Sequence, residues 1–235
     1  MSELSVIVLA YDEAENVPAV LAELVAWLRA HEPRAEIVLV DDGSRDGTAE
    51  VAARALEGFP HRIVRHEINR GIGAALKTGV RAAGGEWITF LPADGQIEPA
   101  AIGTLRAAAG GVDLVLSVYA DRDDGLDRKV LSFGVRALIR AVHGVVLESD
   151  GPYLVRRRLF DPDDLPPDTF FLNFELPIRA LAAGIPHRVV TIRCRPRRAG
   201  TSKSTGFARV AGVARDLIDL RRRRARRAFA ILRGS

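Results

Sequence analysis

Short runs of apolar, largely β-branched residues alternate along the chain with longer stretches whose apolar residues return every three or four positions. The first run, Leu4–Ala10 (LSVIVLA), predicts a buried strand. From Asn16 to Ala30, Val17, Val20, Leu21, Leu24, Val25 and Leu28 then share one helical face. Further strands are predicted at Glu36–Val40, His61–Arg65, Trp87–Leu91 and Asp113–Val118, with helices at Asp46–Leu56, Gly71–Ala83 and Pro99–Ala109. Strand and helix in succession, joined by a few residues, predict an α/β fold: a mainly parallel sheet flanked by helices on both faces. Ligands of such sheets bind beyond the carboxyl ends of the strands, so the residues just after each strand carry the most information.

Past about residue 120 the pattern loosens. DRDDGLDR reads as a polar loop, Lys129–Val142 as a helix and Tyr153–Arg156 as a short strand. DPDDLPPD is a Pro/Asp-rich turn region, and Asn173–Ala183 a helix with Pro177 near enough to its start to be tolerated. Ile185–Cys194 reads as another strand. RPRRAGTSKSTG is a basic loop leading into a helix over Phe207–Ile231. With no internal repeat and no linker, the expectation is one domain over 1–206 and a C-terminal basic amphipathic helix within 207–235.

Composition narrows the class. Of 235 residues 48% are apolar, enough to bury a full core and to exclude disorder for most of the chain. One cysteine, Cys194, excludes a disulfide framework and a multi-cysteine zinc site. The opening stretch lacks a basic leader region and no uncharged apolar run is long enough to span a bilayer, so a cytoplasmic protein, soluble or peripheral on a membrane, is expected. The net charge of +4 is unevenly spread: residues 1–187 carry −9 and residues 188–235 carry +13, ending in RRRRARR. A basic tail on an acidic body points to a polyanionic partner, either phosphate groups or an anionic membrane surface. Nucleic acid is not expected, since the tail offers few aromatic residues, Phe229 among its last arginines, for stacking on bases.

The predicted strand ends are acidic: Tyr11-Asp12-Glu13 after the first, Asp41-Asp42-Gly43-Ser44 after the second, Pro92-Ala93-Asp94-Gly95-Gln96 after the fourth. Carboxylates gathered at one sheet edge repel one another, so stability alone does not favour them. They serve either as helix caps, as Asp46 can before GTAEVAARAL, or as ligands for N–H groups, hydroxyls and a hard cation bridged to phosphates. A dinucleotide fingerprint is excluded because AYDEAEN follows the first strand and Gly71-Ile72-Gly73 lacks the third glycine at the right spacing. No P-loop, nucleophile elbow or H-E-x-x-H motif occurs, and the five His have no metal-ligand spacing.

Four segments in order, SVIVLAYDEAENVP, VLVDDGSRDGT, NRGIGAALKTGVRAAGGEWITFLPADGQ and RRAGTSKS, resemble family 2 glycosyltransferases with the Rossmann-like GT-A fold. More narrowly they resemble polyprenyl-phosphate sugar synthases such as those making dolichol-phosphate mannose, and the likeness covers about residues 4 to 206. The resemblance implies an inverting transfer of sugar from a nucleotide-diphosphate sugar to a polyprenyl phosphate, assisted by Mg²⁺ or Mn²⁺. It implies a nucleotide-sugar pocket lined by Tyr11, Glu13, Asp41, Asp42 and Asp94, with Asp94 and Gln96 at the metal. It further implies that Arg128 and Ser132 hold acceptor phosphate, and that Arg197, Ser202 and Lys203 belong to a basic loop closing on the phosphates. The chain departs from the pattern at Asp12, where Asn is usual, at Ala10, where Pro is usual, at Glu148, where Asp often stands, and at Pro92. Pro92 replaces the first carboxylate of the D-x-D motif and leaves Asp94 alone.

A phosphate acceptor is already ionised near neutral pH and requires alignment and charge screening rather than a strong base. A hydroxyl acceptor, soluble or at a glycan end, requires a base, for which Glu175 in NFELPIRAL is the candidate; a carboxylate favoured by the helix dipole is its other reading. A third possibility is a nucleotide-sugar-binding protein without catalysis, given Pro92. Arg156, Arg157 and Arg158 read as a solvated strand end rather than phosphate ligands. In the last helix Phe207, Val210, Val213, Leu217, Ile218 and Leu220 form a stripe that lies on a membrane interface or packs on protein. Nothing in the sequence sets an oligomeric state.

Overall fold

The computed structural model describes residues 2–120, 126–165, 171–196 and 216–222, with the backbone alone for 126–133. Seven strands form one sheet in the order β3-β2-β1-β4-β6-β5-β7. They are β1 (Leu4–Ala10), β2 (Ala35–Asp41), β3 (His61–Arg65), β4 (Trp87–Pro92), β5 (Leu114–Tyr119), β6 (Leu154–Arg156) and β7 (His187–Ile192). All neighbouring pairs are parallel except those of the three-residue β6, which runs antiparallel between β4 and β5. The helices are α1 (Val17–His31), α2 (Thr48–Ala55), α3 (Ile72–Ala82), α4 (Ala100–Ala107), α5 (Leu126–His143) and α6 (Leu172–Ala182). The expected α/β class and mainly parallel sheet are what is found.

Alternation along each strand feeds two cores. Leu4, Val6 and Val8 with Ile37 and Leu39 pack against Leu21, Leu24 and Leu28 of α1, Ala52 of α2 and Ile102 of α4. Ile7 and Leu9 with Val38 and Val40 pack against Leu76 and Val80 of α3, Ile139 of α5 and Leu176 of α6. Burying both faces explains why β1 and β2 read as unbroken apolar runs. β3 and β7 lie at the edges of the sheet and are correspondingly exposed. On the second face α3 lies so close to the sheet that a Cβ on Gly79 would sit 2.4 Å from Ile7 Cγ2.

Some boundaries differ from expectation. Asp41 is the last residue of β2, and α2 begins at Thr48 behind a left-handed Gly47. Asp46 therefore stands outside the helix and reaches in, accepting from the Thr48 N–H at 3.1 Å. α5 starts at Leu126, inside the segment read as a polar loop, and the last strand is trimmed to His187–Ile192. The three arginines after β6 are fastened at the amino edge of the sheet: Arg156 lies 4.2 Å over the Trp87 ring and pairs with Glu86, Arg157 donates to Gly85 O, and Arg158 to Asp113.

Of the predicted C-terminal helix, residues 216–222 are described and are helical; its remainder lies outside the described residues. Leu217 and Leu220 are fully buried in the second core, the Leu217 carbonyl lies 3.1 Å from His143 Nε2, and Arg221 donates to Val142 O. At these positions the apolar stripe packs on the domain; Ile218, 46% exposed, does not.

The tight α3–β1 contact generates a stability prediction. Gly79→Ala should destabilise by about 1–3 kcal/mol through overpacking against Ile7. Ile7→Val in the same chain should recover part of that loss, read as urea midpoints of the single and double variants.

Candidate functional site

The strand order reverses direction beside β1: β2 and β3 lie on one side of it and β4 on the other. Crossover helices diverge at such a point and leave a crevice at the carboxyl ends of the strands. Tyr11 to Glu13 leave β1 here, Asp41 ends β2, and Asp94 follows β4 two residues on, with Ala93 N–H bonded to Leu9 O at 2.9 Å. The expected site residues on these three strands thus share one edge. α6 runs into β7, parallel to β5, so its first turn with Glu175 lies toward this edge as well. Arg128 and Ser132 fall in the first two turns of α5, the next described element after β5 in the chain. Arg197, Ser202 and Lys203 lie outside the described residues.

The β1 and β2 loops are tied to each other. Asp12 N–H donates to Ser44 Oγ at 2.8 Å, and Arg45 N–H to Asp12 Oδ1 at 2.9 Å. Glu13 N–H donates to Thr48 Oγ1 at 2.9 Å and Ala14 N–H to Asp46 Oδ2 at 3.0 Å. Asp12 holds a left-handed backbone, φ 49°, a conformation tolerated by Asn and Asp because their short side chains bond locally. Asp12 is thus accommodated in this conformation without strain.

The geometry separates the two carboxylates of Asp41 and Asp42. Asp42 is spent on the fold: Oδ1 accepts from Arg70 N–H at 2.9 Å and lies 2.7 Å from His66 Nδ1, and Oδ2 accepts from Gly71 N–H at 2.8 Å. Asp41 is fully buried, its Oδ1 accepts from Ser44 N–H at 2.9 Å, and its Oδ2 accepts no hydrogen bond. The nearest cation to that oxygen is Arg65 Nε at 3.4 Å. A buried carboxylate oxygen without a donor is costly, and a ligand N–H or hydroxyl would satisfy it. Gly43 (φ 78°) admits no side chain, because its Cβ would sit 2.4 Å from the Ile68 carbonyl carbon. The 66–71 turn therefore rests directly on the D-D-G-S backbone.

Asp94 is half-buried and accepts from the Gln96 N–H at 3.0 Å, a turn that sets its carboxylate at the strand end. Sequence reasoning missed what anchors this loop, since nothing in the spacing marks it: Arg195. Its Nε donates to Gly95 O at 2.6 Å and its two terminal nitrogens to Glu23 of α1 at 3.1 and 2.7 Å. Its backbone N–H donates to Gln96 O at 2.9 Å, and the Glu23 bond holds its guanidinium above its ordinary pKa. Among the described residues no three His, Cys, Asp or Glu side chains converge as a metal centre. Glu13 is buried with Oε2 bonded to Asn16 at 2.6 Å. Glu175 is fully buried, and Oε1 is ion-paired with Arg179, which also holds Asp164.

A family model described as Glycosyl transferase family 2 matches residues 5–143. An undecaprenyl-phosphate 4-deoxy-4-formamido-L-arabinose transferase of Pectobacterium carotovorum is 35% identical over 147 residues, 61% of this chain and 45% of that protein. The transferase of the same name from Salmonella paratyphi A is 32% identical over 166 residues, 68% and 51% of the two chains. The chain thus spans about half the length of the curated relatives it matches. Among solved structures, glucosyl-3-phosphoglycerate synthase from Mycobacterium tuberculosis with Mn²⁺, UDP and phosphoglyceric acid superposes with a TM-score of 0.68 at 20% identity, over 93% of this chain and 77% of that one.

The loop fastening carries a pH prediction. Burial by itself raises the pKa of Asp46, but bonds from the Thr48 hydroxyl and from the Ala14 and Thr48 N–H groups outweigh it and hold the carboxyl below its ordinary value. Its contribution is therefore complete above the ordinary carboxylate pKa and drains away as pH falls through the lowered one. Asp46→Asn should flatten the acid limb of stability against pH, measured by urea unfolding from neutral pH downward.

Proposed function

From a chain that belongs to glycosyl transferase family 2, we infer an enzyme that moves a sugar from a nucleotide-diphosphate sugar to the phosphate of a polyprenyl lipid. The observation that carries this reading is the 35% identity to undecaprenyl-phosphate sugar transferases. Two features of the site support it. Asp41 Oδ2 is a buried acceptor suited to an N–H of the base or a ribose hydroxyl. Glu175, the one base candidate for a hydroxyl acceptor, is locked to Arg179.

In this reading Asp41 orients the nucleoside, Tyr11 and Glu13 line its pocket, and Asp42 keeps the pocket wall in place. Asp94, with Gln96 beside it, offers hard oxygen donors of the kind Mg²⁺ and Mn²⁺ prefer. One protein carboxylate would be this chain's share in holding such a cation, which, when bound, would supply Lewis-acid charge neutralisation to the departing diphosphate. Arg128 and Ser132 at the start of α5, with Arg197, Ser202 and Lys203, bring the acceptor phosphate in by charge and hydrogen bonds. An ionised acceptor oxygen forms the new bond to the sugar's anomeric carbon as the bond to the donor's β-phosphate oxygen breaks. The bond's electron pair leaves with the nucleotide diphosphate, and one in-line displacement inverts the anomeric centre. No proton has to be removed from a phosphate monoester already ionised near neutral pH.

The +13 charge after residue 187 holds this chemistry at an anionic membrane face. Each Arg near such a surface contributes about 1 kcal/mol, screened by salt. Among the described residues no helix is long and apolar enough to cross a membrane.

The test is transfer from a panel of labelled UDP- and GDP-sugars into undecaprenyl phosphate, with and without Mg²⁺ or Mn²⁺. Label in the organic phase that requires both lipid and metal is expected. Transfer only to a soluble hydroxyl acceptor, or nucleotide-sugar binding without transfer, would replace the proposal. Asp94→Asn should lower turnover by about two orders of magnitude, consistent with loss of one electrostatic stabiliser, with the fold retained. Arg197→Ala should abolish transfer to the lipid, and unchanged transfer would remove the phosphate role of the basic loop.

A further inference from the structure

We propose that His66 is a positioning residue for the nucleotide end of the site: it fixes the Asp42 carboxylate and the 66–71 turn beside the buried Asp41 Oδ2, which lacks a hydrogen-bond donor. The inference rests on the nucleotide reading of Asp41. The residue is buried and its ring uses both nitrogens, with Nδ1 2.7 Å from Asp42 Oδ1 and Nε2 2.9 Å from Thr78 Oγ1. Its backbone N–H donates to Asp41 O at 2.9 Å. One residue therefore joins the end of β2, the turn after β3 and the second turn of α3. A neutral imidazole satisfies this network completely, donating from Nδ1 to the carboxylate and accepting the Thr78 hydroxyl proton at Nε2.

The consequence for a ligand follows from what Asp42 holds. Its oxygens carry the N–H groups of Arg70 and Gly71, and the backbone between His66 and Arg70 lies against Gly43 with no room for a Cβ. The turn is thus a wall of the crevice beside Asp41, held in place through a carboxylate that is itself 95% buried. Removing the imidazole deprives that carboxylate of a charge-assisted bond and leaves a void beside it. Asp42 can then rotate, and the wall and the adjacent Asp41 lose their fixed relation. A histidine that only filled space would affect stability and leave ligand affinity alone.

The experiment measures UDP and GDP binding by calorimetry on the full chain, with steady-state KM for the donor sugar and kcat alongside. His66→Ala should weaken nucleotide binding and raise the donor KM roughly tenfold, the size of a lost bond to a charged group, with kcat at saturating donor within about twofold. His66→Asn, whose amide N–H takes the place of Nδ1, should recover most of the affinity. Thr78→Val, which removes the outer bond alone, should weaken binding by about threefold. Unchanged affinity in His66→Ala, whatever its thermal stability, overturns the proposal. If that variant does not fold, unchanged affinity in Thr78→Val together with no rescue by His66→Asn overturns it equally. Asp41→Ala separates this from the reading beneath it. If Asp41→Ala weakens UDP or GDP binding while His66→Ala does not, only the positioning role fails. If neither nucleotide binds the intact protein, or Asp41→Ala binds as tightly, the nucleotide assignment itself is lost and His66 with it.

Discussion

Four hydrogen bonds between the loop after β1 and the segment from the end of β2 to the start of α2 hold the carboxyl edge of the sheet together. Strand pairing ends with Ala10 and Asp41, so backbone groups beyond that point have no ladder to join. Ser44, Thr48, Asp46 and Asp12 supply the missing acceptors from their side chains, and the N–H groups of residues 12, 13, 14 and 45 find partners there. Each bond is worth about 1 kcal/mol net, but leaving such donors unmet in a packed loop costs more than that. The two loops therefore hold one another in a defined shape.

Electrostatics then sorts the carboxylates that crowd this edge. Asp12, Asp42, Asp46 and Glu13 are consumed by N–H groups of the protein, which offsets the repulsion expected of clustered charge. Asp41 Oδ2 is left without a hydrogen-bond donor, and Asp94 is held at the end of β4 by the Gln96 N–H, in a loop that Arg195 anchors through Gly95 O. The edge is better described as a scaffold of acids held by the protein's own N–H groups, with one buried oxygen, Asp41 Oδ2, left without a hydrogen-bond donor, than as an acidic patch.

Much of this was legible in the chain because both signals were local. β1 and β2, buried on two faces, could only be continuous apolar runs, and the helices carried clear single faces. The acidic strand ends were found because topology places ligands there. What sequence did not reveal depends on contacts across long separations. Asp41 and Asp42 look alike in a row of letters, yet His66 and the turn N–H groups bind one and not the other. Arg195 and Glu23 are 172 positions apart, and no spacing rule connects them. The antiparallel sense of β6 was hidden by its three-residue length, and the burial of Leu217 and Leu220 by a stripe that suits a membrane equally well.

The left-handed backbone at Asp12 has a consequence for how this site varies among related chains. Steric limits on that conformation restrict the position in practice to Gly, Asn and Asp. Gly would forfeit the bond that Arg45 N–H makes to the side chain, so only two side chains keep the loop intact. Asn and Asp are nearly isosteric, and they differ by one negative charge where the loops after β1 and β2 meet. The backbone thus fixes the shape of residue 12 and leaves its charge as the single adjustable quantity. Substitution there changes the local charge in one discrete step without altering the backbone.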